Sequence, residues 1–456
     1  MKFCTVTLGC KANQFDTHTI ESVLTGRGHF MVGLGDGCDV CVINTCAVTA
    51  ESVKKSRRAV KRVKKLEPDA LIAICGCFSK LEPEMVSEIG ADLIGGTDDR
   101  EEFALEIEGL VCSVGLKPNY IGLLQNADNG TLWTASPTKA GAHQHTRRTR
   151  ALLKIQDGCD NYCAYCIIPF ARGRSRSIPL ESIIEQARDI SAQGFREIII
   201  TGIEISSWRE DDISKGNADI PQSADDNSEL DFVDAIMAVS AVAPESRLRI
   251  GSLDPSVFSD EIIDKLRRIP NLCNHFHISL QSGCDETLKR MGRKYNASDA
   301  KRAIDKLREA FPDCGITADL IVGFPGEMDE EFNRTVQFIK EVSFSDMHIF
   351  SFSIRSGTRA ADMSHQVEKA IIKERVAIAT EVASIMASDF KTAQIGKTVD
   401  VLFEQEKDGY MIGHSGNYLE IAVKIPLDGN NVLVKGDLRQ ITIKKLENQR
   451  IIGELL

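Results

Sequence analysis

Along the first 110 residues, short apolar runs alternate with segments whose apolar positions recur every three or four residues. Phe3–Leu8, Val40–Asn44, Ala70–Cys75 and Ala91–Ile94 read as strands, and Asp16–Leu24, Ala50–Leu66 and Glu82–Ile89 read as helices. That rhythm predicts a small open parallel sheet covered by helices. Three of the strands run at their C-terminal ends into a loop carrying a cysteine, Cys10, Cys46 or Cys77. Open α/β sheets place ligands at that edge.

From Cys112 to His145 the periodicity fades and Gly, Asn, Thr and Pro accumulate, which predicts a linker over 112–146. The rhythm returns at Arg150. Strands are expected at Ala151–Gln156, Glu197–Thr201, Arg247–Gly251, His275–Ser279, Thr317–Val322 and His348–Phe352. The helices between them carry caps: Ser259 opens one, Asn296 opens another that Pro312 closes, and Gly194 ends the helix that starts near Leu180. Six βα units make a full or partial barrel with its chemistry at the C-terminal strand ends. Arg209–Glu229 is polar and acidic and reads as a surface loop, whereas Glu368–Phe390 reads as a helix. Beyond Lys397, alternating runs at Val399–Phe403, Leu419–Val423 and Gln440–Lys444, with turns at Asp408-Gly409 and Asp428-Gly429, predict a small β-barrel. The fold class is therefore α/β, with an N-terminal open sheet, a central (β/α) barrel and a C-terminal β-barrel. The domains fall at 1–111, 147–380 and 391–456.

Composition narrows the function. With 43% hydrophobic and 27% charged residues in 456, the chain can bury a sizeable core, and wholesale disorder is excluded. Apolar stretches such as Ala70–Cys75 are too short to cross a bilayer, and no signal-peptide core follows Lys2, so a cytoplasmic protein without a membrane partner is expected. Fourteen cysteines in such a chain point to metal or redox chemistry rather than to disulfides. The net charge of −11 makes any basic cluster stand out. Glu51–Lys65 holds Lys54, Lys55, Arg57, Arg58, Lys61, Arg62, Lys64 and Lys65 against one acid, a local charge of +7. On a helix beginning just after Cys46, these residues are either a solvated face or, as preferred here, a track for RNA phosphates. Arg147, Arg148 and Arg150, and Arg172, Arg174 and Arg176, are further candidates; Arg172 and Arg174 could equally be ion-paired inside the barrel mouth.

The sharpest motif is Cys159-x-x-x-Cys163-x-x-Cys166, directly after the first barrel strand. Three thiolates in one tight loop can hold three corners of a [4Fe–4S] cluster and leave the fourth iron open. Zinc would want a fourth protein ligand, and this loop offers none that fits. Cys10, Cys46 and Cys77 could hold a second open-cornered cluster. Cys38-x-x-Cys41 is a competing pair, with Cys41 and Cys75 read as strand packing; Cys4, Cys112, Cys273, Cys284 and Cys314 look isolated.

CxxxCxxC on the first loop of a βα barrel resembles the radical S-adenosylmethionine (radical SAM) superfamily. Thr201-Gly202-Ile203-Glu204 and Asp319-Leu320-Ile321-Val322-Gly323-Phe324-Pro325-Gly326-Glu327 fit the same pattern. By that resemblance Gly202, Glu204 and Asp319 meet S-adenosylmethionine, whose cleavage yields a 5′-deoxyadenosyl radical. With the N-terminal trio and the terminal barrel, the order resembles the methylthiotransferases, which end in an RNA-binding TRAM domain. Thr7-Leu8-Gly9-Cys10-Lys11-Ala12-Asn13-Gln14, Ile155-Gln156-Asp157-Gly158-Cys159-Asp160-Asn161-Tyr162-Cys163 and Ile167-Ile168-Pro169-Phe170-Ala171-Arg172-Gly173 are similar to the branch acting on N6-threonylcarbamoyladenosine in tRNA. Glu204 departs from it, standing where a histidine is expected. The terminal barrel is charge-balanced, so its RNA role rests on the resemblance. The resemblance implies two [4Fe–4S] clusters, S-adenosylmethionine, a tRNA anticodon loop as partner, an electron donor such as flavodoxin or ferredoxin, and a sulfur source. The product would be the 2-methylthio derivative at position 37. Isopentenyladenosine tRNA or a ribosomal-protein aspartate are the alternative substrates, and a non-catalytic zinc RNA-binding protein is the alternative class.

Overall fold

The computed structural model describes residues 1–113, 148–210, 229–425 and 433–456. The expected linker beyond its first two residues, Arg147, nearly all of the acidic segment and the Asp428-Gly429 turn lie outside the described residues. Those described form two compact units: one takes Met1–Gln144, Gln156–Ile178 and Ser353–Ala361, the other His145–Ile155, Pro179–Phe352 and Asp362–Leu456. No helix among them is long and apolar enough to cross a membrane.

In the first unit, β1 (Lys2–Thr7), α1 (Lys11–Gly26), β2 (Phe30–Met31), β3 (Val40–Thr45), α2 (Ala50–Leu66), β4 (Leu71–Gly76), α3 (Cys77–Leu81), α4 (Pro83–Glu88), β5 (Leu93–Ile94) and α5 (Arg100–Cys112) follow in order. The strands make one parallel sheet, β2-β1-β3-β4-β5. All six positions of β3 are buried, as the apolar run Val40–Ile43 requires of a strand covered on both faces; Asn44 and Thr45 complete it as buried polar residues with hydrogen-bond partners. Helix α2 buries Val53, Ser56, Val60 and Val63 and leaves its charged positions outward, with Thr49 capping its first turn. Four features depart from the sequence reading. Helix α1 starts at Lys11, not Asp16, because its early polar residues Asn13 and Asp16 are buried among partners. Strand β2 and helix α5 have no counterpart in the sequence pattern; α5 turns Phe103, Ala104 and Ile107 into the core beneath an acid-rich surface. Cys77 opens a short helix rather than lying in a loop.

The second unit begins with β6 (Ala151–Lys154). The chain then passes through the first unit as β7 (Gln156–Asp157), α6 (Ile168–Arg172) and β8 (Arg176–Ser177), where β7 pairs antiparallel with β8. The second unit resumes with α7 (Leu180–Ala192), β9 (Glu197–Thr201), α8 (Phe232–Val242), β10 (Arg247–Ile250), β11 (Ser252–Leu253), α9 (Asp260–Arg267), β12 (His275–Gln281), α10 (Asp285–Met291), α11 (Ala297–Ala310), β13 (Gly315–Val322), α12 (Asp329–Val342), β14 (Asp346–Ser351) and α13 (Lys369–Ala393). Its sheets run β10-β9-β6 and β11-β12-β13-β14. Only Gly251 separates β10 from β11, so six parallel strand positions form an open, partial barrel. The anticipated caps form: the Ser259 side chain accepts from Ile262, and Asn296 and Asp299 make a reciprocal capping box. Strands β15 (Thr398–Lys407), β16 (Tyr410–Ser415), β17 (Glu420–Lys424), β18 (Leu438–Glu447) and β19 (Arg450–Leu455) close into a barrel around Val401, Phe403, Ile421, Ile441 and Ile443.

Glu197 ties the two barrels of this unit together. Fully buried on β9, its carboxylate accepts from Arg247 Nε at 2.6 Å and from Arg249 Nε at 2.8 Å. Both guanidiniums then reach the terminal barrel, Arg247 donating to the carbonyls of Asp400 and His414 and Arg249 to those of Ser415 and Gly416. Burial pushes the Glu197 pKa up, but the two arginines prevail and hold it at about 2, below the ordinary 4.5. A carboxyl depressed in this way stabilises the fold above its unfolded pKa, and that contribution is lost as pH falls towards 2. The second unit should therefore lose on the order of 3 kcal/mol between pH 5 and pH 2 through this group alone. Chemical denaturation across that window reads the slope, which Glu197→Gln should flatten.

Candidate functional site

The C-terminal edge of the first unit's sheet gathers Cys10, Cys46 and Cys77. Cys10 caps α1 and is exposed, whereas Cys46 and Cys77 are buried. Two glycines allow the approach. At Gly9 (φ +98°) a Cβ would lie 2.9 Å from the Cys46 Cβ and 3.0 Å from its Sγ; at Gly76 (φ +105°) it would strike the Thr45 carbonyl. Ser56 of α2 clasps the Cys46 backbone, accepting from its N–H at 3.2 Å and donating to its carbonyl at 3.1 Å. Asn13 donates to the Leu8 and Thr45 carbonyls at 2.8 and 2.9 Å, fixing the Cys10 and Cys46 loops to each other. The three thiols are electrostatic neighbours. Burial raises the Cys46 pKa and pushes Cys77 up to about 12; the Cys10 thiol raises both further, and Arg172 partly offsets the rise at Cys77.

The CxxxCxxC loop lies in the same unit. The Cys159 N–H donates to the Gly173 carbonyl at 3.1 Å, the Asn161 N–H to Cys159 Sγ at 3.4 Å, and the Cys166 N–H to the Cys163 carbonyl at 3.0 Å. Tyr162 takes a left-handed conformation (φ 46°), which turns the loop between its first two thiols. Gln156 threads the base of the loop, donating to the carbonyls of Asp157 and Gly158 and to Ser175 Oγ. From the other side, Ala360 N–H donates to the Ala164 carbonyl and Arg359 to that of Tyr162.

Arg172 joins the two thiol groups. It ends helix α6, just beyond the CxxxCxxC loop, and is 1% exposed. Its Nη1 donates to both carboxylate oxygens of Asp157 at 2.9 Å, and its Nη2 to Asn13 Oδ1 at 2.6 Å and Asp16 Oδ2 at 2.8 Å. Its charge also lowers the pKa of Cys77. Arg100 supports Asp16 at 3.4 Å. Of the two readings open for Arg172, ion pairing therefore holds, with partners on α1 and β7. Arg174 is 83% exposed and pairs with Asp160 at 3.2 Å. The donor set suits iron–sulfur ligation: six thiols in two groups of three, two of the buried ones holding their protons until a cation displaces them, and a buried guanidinium to balance thiolate charge.

Other expected residues fall in separate networks. Glu204 precedes a 3-10 turn and accepts from the Ser206 hydroxyl; burial raises its pKa. Asp319 lies within β13, bonded to His277 and His348 rather than to Glu204. All eight basic residues of α2 are exposed, with Glu51 near Lys54 and Arg58 at 4.0 and 3.6 Å. Cys4 is not isolated, since the Cys38 thiol lies 3.5 Å from its own. The sequence reading missed Asn13, Asp16 and Asp157 as partners of Arg172. The available signal was Asn13 and Asp16 set i, i+3 where α1 needed apolar residues.

The Radical SAM superfamily pattern matches residues 153–339, and that of Uncharacterized protein family UPF0004 matches residues 2–96. The chain is 36% identical over 435 residues to threonylcarbamoyladenosine tRNA methylthiotransferase MtaB of Bacillus subtilis, covering 94% of this chain and 92% of the relative. It is 34% identical over 454 residues to the MtaB of Thermotoga maritima, covering 98% and 95%. The radical S-adenosylmethionine methyltransferase TsrM from Kitasatospora setae, solved with tryptophan substrate and a SAM analog, shares the fold: TM-score 0.52, 16% identity, 76% of this chain and 72% of that one. Fold and site thus define a radical SAM methylthiotransferase. Within that class, the chain belongs to the threonylcarbamoyladenosine tRNA methylthiotransferase MtaB family.

Arg172→Met would strand two buried carboxylates. It should lower the stability of the first unit by about 3 to 5 kcal/mol in urea denaturation, whereas Arg174→Met should change it by less than about 0.5 kcal/mol.

Proposed function

We propose that this chain methylthiolates C2 of N6-threonylcarbamoyladenosine at position 37 of tRNA, beside the anticodon. The supporting observation is that both three-thiol groups lie in one compact unit, joined by Arg172, in a chain 36% identical to a named tRNA methylthiotransferase. Cys159, Cys163 and Cys166 hold one [4Fe–4S] cluster and Cys10, Cys46 and Cys77 the other, with S-adenosylmethionine met by Gly202, Glu204 and Asp319. Bound there, these groups supply one-electron and sulfur chemistry that no side chain offers. Arg172 balances the negative charge of the thiolates around Cys77 and keeps the two ligand loops in fixed register. Gly9 and Gly76 let the Cys10 and Cys77 loops come close to Cys46.

Helix α2 supplies the phosphate track: Lys54, Lys55, Arg57, Arg58, Lys61 and Arg62 project from a helix that starts four residues after Cys46. Tyr162 and Phe170, both exposed and set edge to face at 6.0 Å, offer rings on which an unstacked base can lie. The division proposed is 1–111 for the three-thiol domain, 147–380 for the radical SAM barrel and 391–456 for a TRAM-like RNA-binding barrel, with 112–146 as linker. The setting is the cytoplasm, with an electron donor such as flavodoxin or ferredoxin and a separate sulfur source.

Mass spectrometry of tRNA nucleosides with and without the gene should show the 2-methylthio nucleoside lost and its unmethylthiolated precursor accumulating; persistence of that nucleoside while the isopentenyl counterpart disappears would reassign the substrate. In the purified enzyme, Cys163→Ala should abolish S-adenosylmethionine cleavage. Cys46→Ala should keep cleavage to 5′-deoxyadenosine and stop methylthiolation, and equal loss of cleavage in both would contradict the ligand assignment. Combining Lys55→Glu, Arg58→Glu and Arg62→Glu should weaken tRNA binding at least ~10-fold and flatten its salt dependence by about one unit of slope for each phosphate no longer neutralised.

A further inference from the structure

Three side chains on the second unit's barrel form a constellation that the methylthiolation reading does not use. His277 stands on β12, Asp319 on β13 and His348 on β14. Asp319 is in register with His348, and His277 with Thr317, two residues before Asp319. The alternation of strand side chains therefore puts all three on one face of the sheet. Asp319 Oδ2 lies 3.2 Å from His277 Nε2, and Asp319 Oδ1 lies 3.1 Å from His348 Nδ1. The three residues offer ligand atoms that all lie within 4.8 Å of one another.

We propose that His277, Asp319 and His348 bind one divalent first-row transition-metal ion. Two imidazoles and one carboxylate with positions left open are a donor set such ions take. Metal–ligand bonds of about 2.1 to 2.2 Å at right angles place neighbouring donors roughly 3 Å apart, which is the spacing at both nitrogen–oxygen contacts. The shell behind His277 has the matching form. Thr317 Oγ1 lies 2.8 Å from His277 Nδ1 and 3.1 Å from His275 Nε2. When the hydroxyl gives its proton to His275, it accepts one from His277 Nδ1, and the Nε2 lone pair of His277 then faces the carboxylate. In that tautomer a metal ion would bridge the ring nitrogen and the carboxylate, and a hydroxyl or carboxylate behind the ring is how metal-bound histidines are usually oriented. Side-chain exposure rises from 14% at His277 through 25% at Asp319 to 63% at His348, giving an ion a way in and room for water ligands. The inference goes beyond the proposed function and alters one detail of it, because Asp319 meets the ion rather than S-adenosylmethionine.

The test is Mn2+ titration of the anaerobically purified full-length holoenzyme, followed by the loss of the free-ion electron paramagnetic resonance signal. Mn2+ favours oxygen and nitrogen donors over thiolates, so the cysteines do not compete for it. The wild type should take up one Mn2+ per chain, and both His348→Ala and Asp319→Asn should weaken that binding at least ~10-fold. No saturable uptake by the wild type, or equal uptake by the variants, overturns the proposal. If Asp319→Asn fails to fold, His348→Ala carries the comparison, since its side chain is largely exposed. Binding is read without turnover, so a failure here is distinct from a failure of the methylthiolation reading, which nucleoside analysis decides.

Discussion

A guanidinium taken out of water must find its charge and its hydrogen bonds among its neighbours, and the first unit is built around that requirement at Arg172. Asp16 and Asp157 supply the charge, Asn13 a further acceptor, and Arg100 keeps Asp16 from carrying two obligations alone. Two guanidiniums and two carboxylates balance inside an apolar surround, where leaving out any one would strand a buried charge. The consequence is geometric. Asn13 fixes the Cys10 and Cys46 loops, Asp157 starts the CxxxCxxC loop, and Arg172 holds both at once. Two thiol groups more than 80 residues apart in sequence are thereby set in one rigid surround.

The second unit repeats the device for a structural end. Glu197 is the buried acceptor there, Arg247 and Arg249 span from it to carbonyls of the terminal barrel, and Tyr418 lies against Arg249 and stacks between His275 and His414. In both places arginine is the side chain that serves. Its planar fork reaches several acceptors in fixed directions and keeps its charge when buried. Lysine would offer one point charge and lose the second direction.

Strands β3 and β9 are legible because a strand buried on both faces carries a continuous apolar stretch, Val40–Ile43 in one and Ile198–Ile200 in the other, and α2 because its buried positions recur on one stripe. The caps at Ser259 and Asn296 are legible because capping is a local bond. What escapes has its cause elsewhere in the chain. The start of α1 is hidden because Asn13 and Asp16 look like loop residues until Arg172, 156 residues on from Asp16, makes them core. Strand β2 is two residues long and exists only through its pairing with β1. Motif position groups Asp319 with Glu204, whereas the sheet register groups it with His277 and His348.

By itself, the sequence determined the class of fold, the spacing of the two cysteine trios and the basic face of α2, because periodicity, cysteine spacing and charge density are legible along the chain. Tertiary structure alone decided that Arg172 is an internal tie and not a phosphate ligand, that the CxxxCxxC segment packs with the N-terminal sheet, and that two histidines flank Asp319. Each of those depends on which distant residue supplies the compensating charge or hydrogen bond once water is excluded, and no local pattern carries that information.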